Sequence, residues 1–423
     1  MNELNYSYRN IWFWIFFIVY FSSGFIFFKT PFEFYLYYTI IILFTPIFII
    51  KHGIPKFLLK IFFLPFVVGI IHVLLNNNLP FTFIKITFGL FSLLIFYYHT
   101  INHFKFDLIS IFEFYCKGTW VLCLIAIIQI VSFYIGFVNG YDYSWVLNKW
   151  GFVRGGIIGF RVNSILSEPT YLATVLAPSV YVSLKNLISK TNFIFNKFQS
   201  IVIILVSILT TSSIGYFGIL LSFLLVTKTF RLRYVIIGFV VTISGFNIAY
   251  NYVSDFKQRI DSAKGLWLDS NFNISNTNNS SFVLYNNLHI ALKNLAEYPL
   301  FGTGLGSHET AFKKHTLTRS LIQYDFEFNV KDGNSLFVRL CTETGLVGLF
   351  LVLFFIVKCF IYKNKYDNQE LFVNTIISQS LFVLLVLVLI RQGNYMLNGL
   401  PLMFLIYYYN FKQYNDKIER IEK

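Results

Sequence analysis

The chain has 423 residues, of which 56% are hydrophobic, 20% aromatic and only 13% charged, with a mean hydropathy of +0.63. No water-soluble core of this size could hide 52 Phe and 28 Tyr, so a soluble enzyme is excluded and a lipid-dissolved chain is expected. The net charge of +14 does not indicate nucleic acid either, because the 34 basic residues are scattered between apolar runs and not gathered in one domain.

Taken in chain order, the apolar runs predict spanning helices near 11–28, 34–50, 57–75, 81–98, 119–138, 165–184, 200–227 (a helical hairpin), 234–252, 335–361, 371–390 and 395–411, about twelve in all. Helix is the spanning element that fits, because the alternating strands of a membrane barrel are absent. The first run is longer than a signal-peptide core and no small-x-small site follows it, so it reads as a retained helix. The expected fold is therefore all-α: one polytopic membrane domain over 1–423, with a first outer loop at 139–164 and a large outer loop carrying amphipathic helices at 253–333.

Charge placement sets the expected orientation. With the N-terminus inside, the inner connections hold Lys51, Lys56, Lys185, Lys190, Lys197, Lys228, Arg231, Arg233, Lys358, Lys363 and Lys365, and the C-terminal tail, also inside, adds four more basic residues. The short outer connections hold only Lys29, Lys149, Arg154, Arg161 and Arg391. Both flanks of 200–227 are basic, so this segment goes out and returns. Each arm is roughly 18–21 Å long and turns at Thr210-Thr211-Ser212-Ser213, which implies either tight local thinning of the bilayer or a tip buried in protein where its backbone groups find partners.

Within 253–333 an Asn-rich stretch gives way to Leu284, Leu288, Ala291, Leu292 and Leu295 at helical spacing up to Pro299, and 307–316 reads as a second short helix capped by Ser307. Cys116, Cys123, Cys341 and Cys359 lie in or beside apolar runs without metal or redox spacing and read as membrane-core residues. The loop histidines His289, His308 and His315 form no HExxH pattern, and no metal site is expected.

Four places carry candidate chemistry. In Arg161-Val-Asn-Ser-Ile-Leu-Ser-Glu168-Pro169, proline suits the first turn of a helix and Glu168 its cap, either as a plain cap favoured by the helix dipole or as a functional carboxylate beside Arg161. Pro299-Leu-Phe-Gly302-Thr-Gly304-Leu-Gly306 is either a tight turn or a set of backbone amides offered to a pyrophosphate; no strand precedes it and no GK[ST] follows. A helix from 334 to 361 would be about 42 Å long, exceeding the roughly 30 Å hydrocarbon core, so Arg339 and Glu343 at i,i+4 fall near the outer interface, as an internal ion pair or as a carboxylate poised to take a proton from a sugar hydroxyl. Arg259 follows the 234–252 run. It is an ordinary interfacial arginine or, with Arg161, half of a diphosphate clamp.

These pieces in this order resemble the O-antigen polymerase and ligase superfamily of bacterial membrane glycosyltransferases. The resemblance is carried by Arg161 with Ser167-Glu168-Pro169-Thr170, by Leu209-Thr-Thr-Ser-Ser-Ile-Gly215, by Arg259, by Tyr298-Pro-Leu-Phe-Gly-Thr-Gly-Leu-Gly306, and by Asn334-Ser-Leu-Phe-Val-Arg-Leu-Cys-Thr-Glu-Thr-Gly-Leu-Val-Gly348, over roughly residues 150–360. It implies a membrane glycosyltransferase C-like bundle in the bacterial cytoplasmic (inner) membrane, with both termini cytoplasmic. The implied substrate is glycan on an undecaprenyl diphosphate carrier, and a chain-length regulator protein is an implied partner. Arg161 and Arg259 would hold the diphosphate and the 334–348 segment would lie beside the acceptor, with Glu168 or Glu343 as base. Arg154, Gly302, Gly304, His308, Arg319, Asn334 and Arg339 are the further candidates for substrate contact. The diphosphate linkage would supply the free energy, so no cofactor is implied. Ligases of this superfamily begin the last segment with a histidine base, and this chain has Asn334, which cannot accept a proton at neutral pH. A polymerase is therefore favoured over a ligase, with a flippase of lipid-linked units as the non-enzymatic alternative. The family's Thr-x-Ser-Arg pattern at the hairpin tip is also broken here, by Ser213-Ile214.

Overall fold

The computed structural model describes residues 4–30, 32–227, 254–268, 279–318, 329–363 and 368–423, with scattered positions between 240 and 252. The described part of the chain is mostly helical, as an all-α membrane protein requires. Its helices are α1 (Leu4–Phe21), α2 (Leu36–His52), α3 (Lys56–Leu74), α4 (Pro80–His103), α5 (Leu108–Tyr134), a single turn α6 (Val138–Tyr141), α7 (Pro169–Ser189), α8 (Lys197–Leu209), α9 (Ser213–Thr227), α10 (Ser254–Trp267), α11 (Asn279–Glu297), α12 (His308–His315), α13 (Leu336–Lys358), α14 (Gln369–Arg391) and α15 (Leu400–Glu422). Six of them (α3, α4, α5, α7, α13 and α14) are long and apolar enough to cross a membrane, and α1 from Arg9, α2, α8 and α9 are shorter apolar helices. The sheet among the described residues is one two-stranded ribbon, β1 (Val153–Arg154) against β2 (Phe160–Arg161), antiparallel. The expected span at 234–252 lies almost wholly outside the described residues.

Helix α7 is central, with 72% of its apolar window buried, packed against α8, α9 and α14. It is lined with small residues, among them Ala173, Thr174, Ala177, Ser179 and Ser183, which let neighbouring backbones approach where lipid offers no hydrophobic drive. Gly215 of α9 sits so close to Ala173 that an added Cβ would lie 2.9 Å from it. Thr119 of α5 and Ser179 share a hydrogen bond of 2.6 Å in this interior.

Three boundaries differ from expectation for local reasons. The first apolar run leaves the helix after Phe21, because Gly24 lies against the Ile165 carbonyl with no room for a side chain, and Ile26 then bridges to Tyr35. Helix α5 begins near Leu108, not 119, because the Asp107 carboxylate caps it by accepting from the Ser110 amide at 3.1 Å, which draws the charged stretch with Glu113 and Lys117 into the helix. The 335–361 segment is two helices joined at a kink, with Gly345 between them at φ +61°, ψ −162°.

The described parts of the connections, 22–30, 32–35, 75–79, 135–168, 210–212, 298–318, 329–335 and 392–399, meet at one end of the bundle, here the loop-bearing end. Asn78 donates to the Thr303 and Leu305 carbonyls, Asn77 to the Tyr298 hydroxyl at 3.0 Å, the Ile26 amide to Asn148 at 2.9 Å, and Arg391 to the Ser280 carbonyl at 3.1 Å. The amphipathic helix expected up to Pro299 is α11, and the short helix expected at 307–316 is α12. Ser307 makes no cap bond to α12; its hydroxyl instead meets that of Thr303 at 2.6 Å.

Candidate functional site

Arg161 is fixed from two directions. Gly155, Gly156 and Gly159, all at positive φ, shape the ribbon turn that ends in β2. The Nε of Arg161 donates to the Thr210 carbonyl at 3.2 Å and approaches the Thr211 hydroxyl at 3.1 Å, at the tip between α8 and α9. Thr210 and Ser212 are buried there, so the polar hairpin tip works as a socket for the arginine. Behind it, Gln129 donates to Asn163 at 3.1 Å and accepts from the Ser164 amide at 3.1 Å, and Trp150 donates to the Ser164 carbonyl at 2.7 Å. Locked second contacts of this kind hold a charged group to a narrow range of positions. Arg154, on the other strand, is exposed.

Glu168 stands at the N-terminus of α7, ahead of Pro169, in extended conformation, and its side chain makes no cap hydrogen bond. The expected capping role is therefore not the one it fills. The carboxylate is exposed to solvent yet crowded by protein, and this desolvation raises its proton affinity above the ordinary carboxylate range. Arg391, Lys149 and Arg161 oppose the rise, in that order, and Asp332 adds to it. Lys149 is engaged with Glu33 and the Tyr35 hydroxyl. Burial pushes the Glu33 carboxyl up, but the bond and charge of Lys149 outweigh it and hold that group below its usual range.

Sequence reasoning missed Arg391, Lys149 and Asp332 as neighbours of Glu168, and Glu33 as the partner of Lys149. A signal for two of them existed: Lys149 and Arg391, like Arg154 and Arg161, are exceptions to the charge asymmetry of the short connections. Three of the five cations in the short connections expected outside, Lys149, Arg161 and Arg391, fall in this cluster.

Glu343 is different. It is 1% exposed and Arg339 is 2% exposed. Arg339 Nε donates to one carboxylate oxygen of Glu343 at 2.8 Å, the Tyr395 hydroxyl donates to the other at 2.9 Å, and a terminal nitrogen of Arg339 donates to the Gly393 carbonyl at 2.8 Å. The guanidinium also lies 4.0 Å from the centre of the Tyr395 ring. Both carboxylate oxygens are engaged and the pair is sealed, the internal ion pair and not the poised base.

The glycine loop completes the interrupted helix. The amides of Thr303 and Gly304 donate to the carbonyls of Thr342 and Glu343 at 3.1 and 2.9 Å, while those of Leu346 and Val347 donate to Pro299 and Leu300 at 2.8 and 3.0 Å. The groups that the Gly345 break would leave unpaired in lipid are thus satisfied by the loop. A Cβ on Gly302 would fall 2.5 Å from the Thr342 carbonyl oxygen, and one on Gly345 2.5 Å from the Gly302 amide. As an anion cradle Gly302 and Gly304 are corrected: the amides at 303 and 304 already have acceptors.

His308 is corrected as a substrate contact. It is fully buried, its Nε2 lies 2.9 Å from the Asn287 side-chain oxygen and its Nδ1 lies 3.1 Å from the Thr342 hydroxyl, and burial followed by the charge of Arg339 lowers its pKa to about 3. A neutral imidazole thus pins α12 to α11 and α13. Asn334 occupies φ +57°, a left-handed conformation that asparagine tolerates better than most residues, and its amide donates to Asp332 at 3.1 Å. The backbone of Arg259 belongs to α10, and Arg319 lies outside the described residues. The loop-bearing end therefore brings Arg161, Glu168, Lys149, Asp332 and Arg391 together, and holds Arg339, Glu343, His308 and the glycine loop as its scaffold. No protein-family model and no curated protein matches this chain.

Proposed function

We propose that the protein is a metal-independent membrane glycosyltransferase that joins oligosaccharide repeat units carried on undecaprenyl diphosphate into a longer polysaccharide of the O-antigen, capsule or exopolysaccharide type. The observation that carries this reading is Glu168: an exposed carboxylate of raised proton affinity, tied by no hydrogen bond among the described residues, in a cluster with Arg391, Lys149 and the socketed Arg161. A carboxylate poised in this way suits removal of a proton from an acceptor sugar hydroxyl, and fixed guanidinium groups suit the charge that develops on a departing diphosphate.

In this mechanism Glu168 takes the proton as the hydroxyl oxygen bonds to the anomeric carbon of the donor sugar. The bond from that carbon to the diphosphate breaks, and undecaprenyl diphosphate leaves with the electron pair, neutralised by Arg161, Arg259 and Arg391. The topology that accommodates it has about twelve spans, counting the 234–252 run, with cytoplasmic termini in the inner membrane and the loop-bearing end outside. Helices α11 and α12, pinned to α13 through His308 and the glycine loop, lie at the same end, the place for a chain-length regulator to dock.

The test is elongation in vitro with a defined undecaprenyl-diphosphate repeat. Polymer should form with the intact chain, and Glu168→Gln and Arg161→Ala should each abolish it without loss of folded protein. Normal chain lengths in both variants would sink the mechanism. A second reading, a flippase of the same lipid-linked units, draws on the broken helix α13, since carriers build sites from interrupted helices. Carriers pair such breaks in two related halves, whereas α13 is the one spanning helix among the described residues with a non-helical residue inside it. Deletion separates the readings: loss of a polymerase leaves single repeats on the surface, loss of a flippase leaves none, and loss of a ligase leaves long chains on the carrier.

A further inference from the structure

Away from the mouth, a groove of about 450 Å³ runs between α3 and α13, lined by residues that include Lys60, Leu64, Val68, Phe301, Val347 and Leu351. It follows α13 from Leu340 to Val352, about 18 Å at 1.5 Å per residue. Its upper end is closed by the glycine loop, where Gly304 lies against Gly69 and Asn78 holds the Thr303 and Leu305 carbonyls, so α3 is tied at its loop-bearing end and stands away from α13 below it. Its side opens to the bilayer, since Ile61, Leu64 and Leu351 are 60%, 46% and 57% exposed.

The occupant follows from chemistry and size. Among the lining side chains two are charged: Glu343, already engaged, and Lys60, exposed at the lower rim one turn into α3. The Thr344 hydroxyl donates to the Leu340 carbonyl at 2.8 Å, so the walls offer water no set of partners. A protein helix about 10 Å across would fill roughly 1,400 Å³ over this length, more than the about 1040 Å³ of space free of protein atoms there, the open side included. A hydrocarbon tail fits, and the cation at the lower rim calls for a negative head group there.

We propose that this groove is a binding site for one anionic phospholipid, whose tail lies between α3 and α13 and whose phosphate sits at Lys60, at the opposite end of the bundle from the loops. This lipid belongs to the leaflet facing away from Glu168 and Arg391, so the proposal does not rest on the glycosyltransferase reading. The polyprenyl tail of a carrier lipid is the alternative occupant, and its head group would lie at the closed end, where the groove presents Phe301, Gly304 and Leu305.

The full chain in mixed micelles, titrated with phosphatidylglycerol, phosphatidylcholine or undecaprenyl phosphate, provides the test through thermal midpoint and native mass spectrometry. Phosphatidylglycerol should bind about fivefold more tightly than phosphatidylcholine, the effect of about one lysine near a lipid phosphate. Lys60→Glu should erase that preference, and Leu351→Trp, which fills the groove, should erase retention of either phospholipid while leaving the lipid-free midpoint in place. Equal retention of the two phospholipids, a preference that survives Lys60→Glu, retention undiminished in Leu351→Trp, or selective retention of undecaprenyl phosphate would each overturn the proposal.

Discussion

Glu343 and Glu168 lie at the same end of the same bundle, and each has an arginine near it in the sequence. Around Glu343 every polar demand is met: Arg339 and Tyr395 take the carboxylate, Gly393 takes the arginine, and water is excluded. Around Glu168 the demands are left open, for the carboxylate is accessible, uncapped and raised in proton affinity while cations face it from three separate segments. Full satisfaction marks a group that holds the fold together; an unsatisfied charge kept at a position where burial penalises it marks a group that does something else.

Substitution tests this contrast most severely at the sealed pair. Glu343→Ala or Arg339→Ala leaves a buried charge without its partner, a change that costs about 3–5 kcal/mol, so both variants should lose folded protein in a detergent unfolding assay. The double variant Arg339→Leu/Glu343→Leu should recover part of that loss. Glu168→Gln should do the reverse, with an unfolding midpoint equal to or above that of the parent and elongation lower by about 100-fold to 10,000-fold, the range for a lost general base. The sign follows from its raised pKa: the folded state binds the proton more tightly, so the ionised form weakens stability as pH rises above the ordinary carboxylate value, and glutamine removes that loss. Normal folding of Glu343→Ala together with lost elongation would invert the assignment of the two carboxylates.

The splice and its pin come next. Gly302→Ala or Gly345→Ala places a Cβ into backbone at a positive φ and should cost about 1–3 kcal/mol, seen as faster proteolysis in 298–335 before global unfolding. His308 has a folded pKa of about 3 against the ordinary histidine value of about 6.5, so acidification below about pH 6.5 should destabilise the packing of α11 and α12 on α13 by up to about 1.4 kcal/mol per pH unit. His308→Gln should flatten that dependence. An unchanged acid slope in the glutamine variant would mean that another group unpins the region.

How much of this could be read beforehand depended on where the signal lay along the chain. Hydropathy is local, so the runs that became α2, α3, α4, α13 and α14 were legible, and so was α11 from its apolar spacing. The start of α5 was not, because Glu113 and Lys117 obscure the pattern while the deciding cap is a single bond from Asp107. At the site, Arg161 and Glu168 stood out by being charged beside apolar runs. The roles of Gly302, Gly304 and His308 were illegible, because each is set by residues more than thirty positions away in α13, the Thr342 carbonyl and hydroxyl among them. Glu343 and Glu168 look alike in one dimension; Tyr395 and Gly393, which seal the first, come from the far side of α14.

The smallest expected effects are also the most specific to the open carboxylate. Lys149 is partly exposed and its bond to Glu33 is screened, so Lys149→Met should change stability by no more than about 1 kcal/mol. Yet Lys149 and Arg391 both favour the ionised form of Glu168, so removing either cation raises its pKa further and moves the rising limb of an elongation pH profile toward alkaline pH. Arg391→Met should move it more than Lys149→Met, following the order of their influence, whereas Arg154→Ala, exposed on the opposite strand of the ribbon, should leave it in place. A structural role for Glu168 would instead leave the limb fixed in all three, because stability and not protonation of a reacting carboxylate would then set the rate.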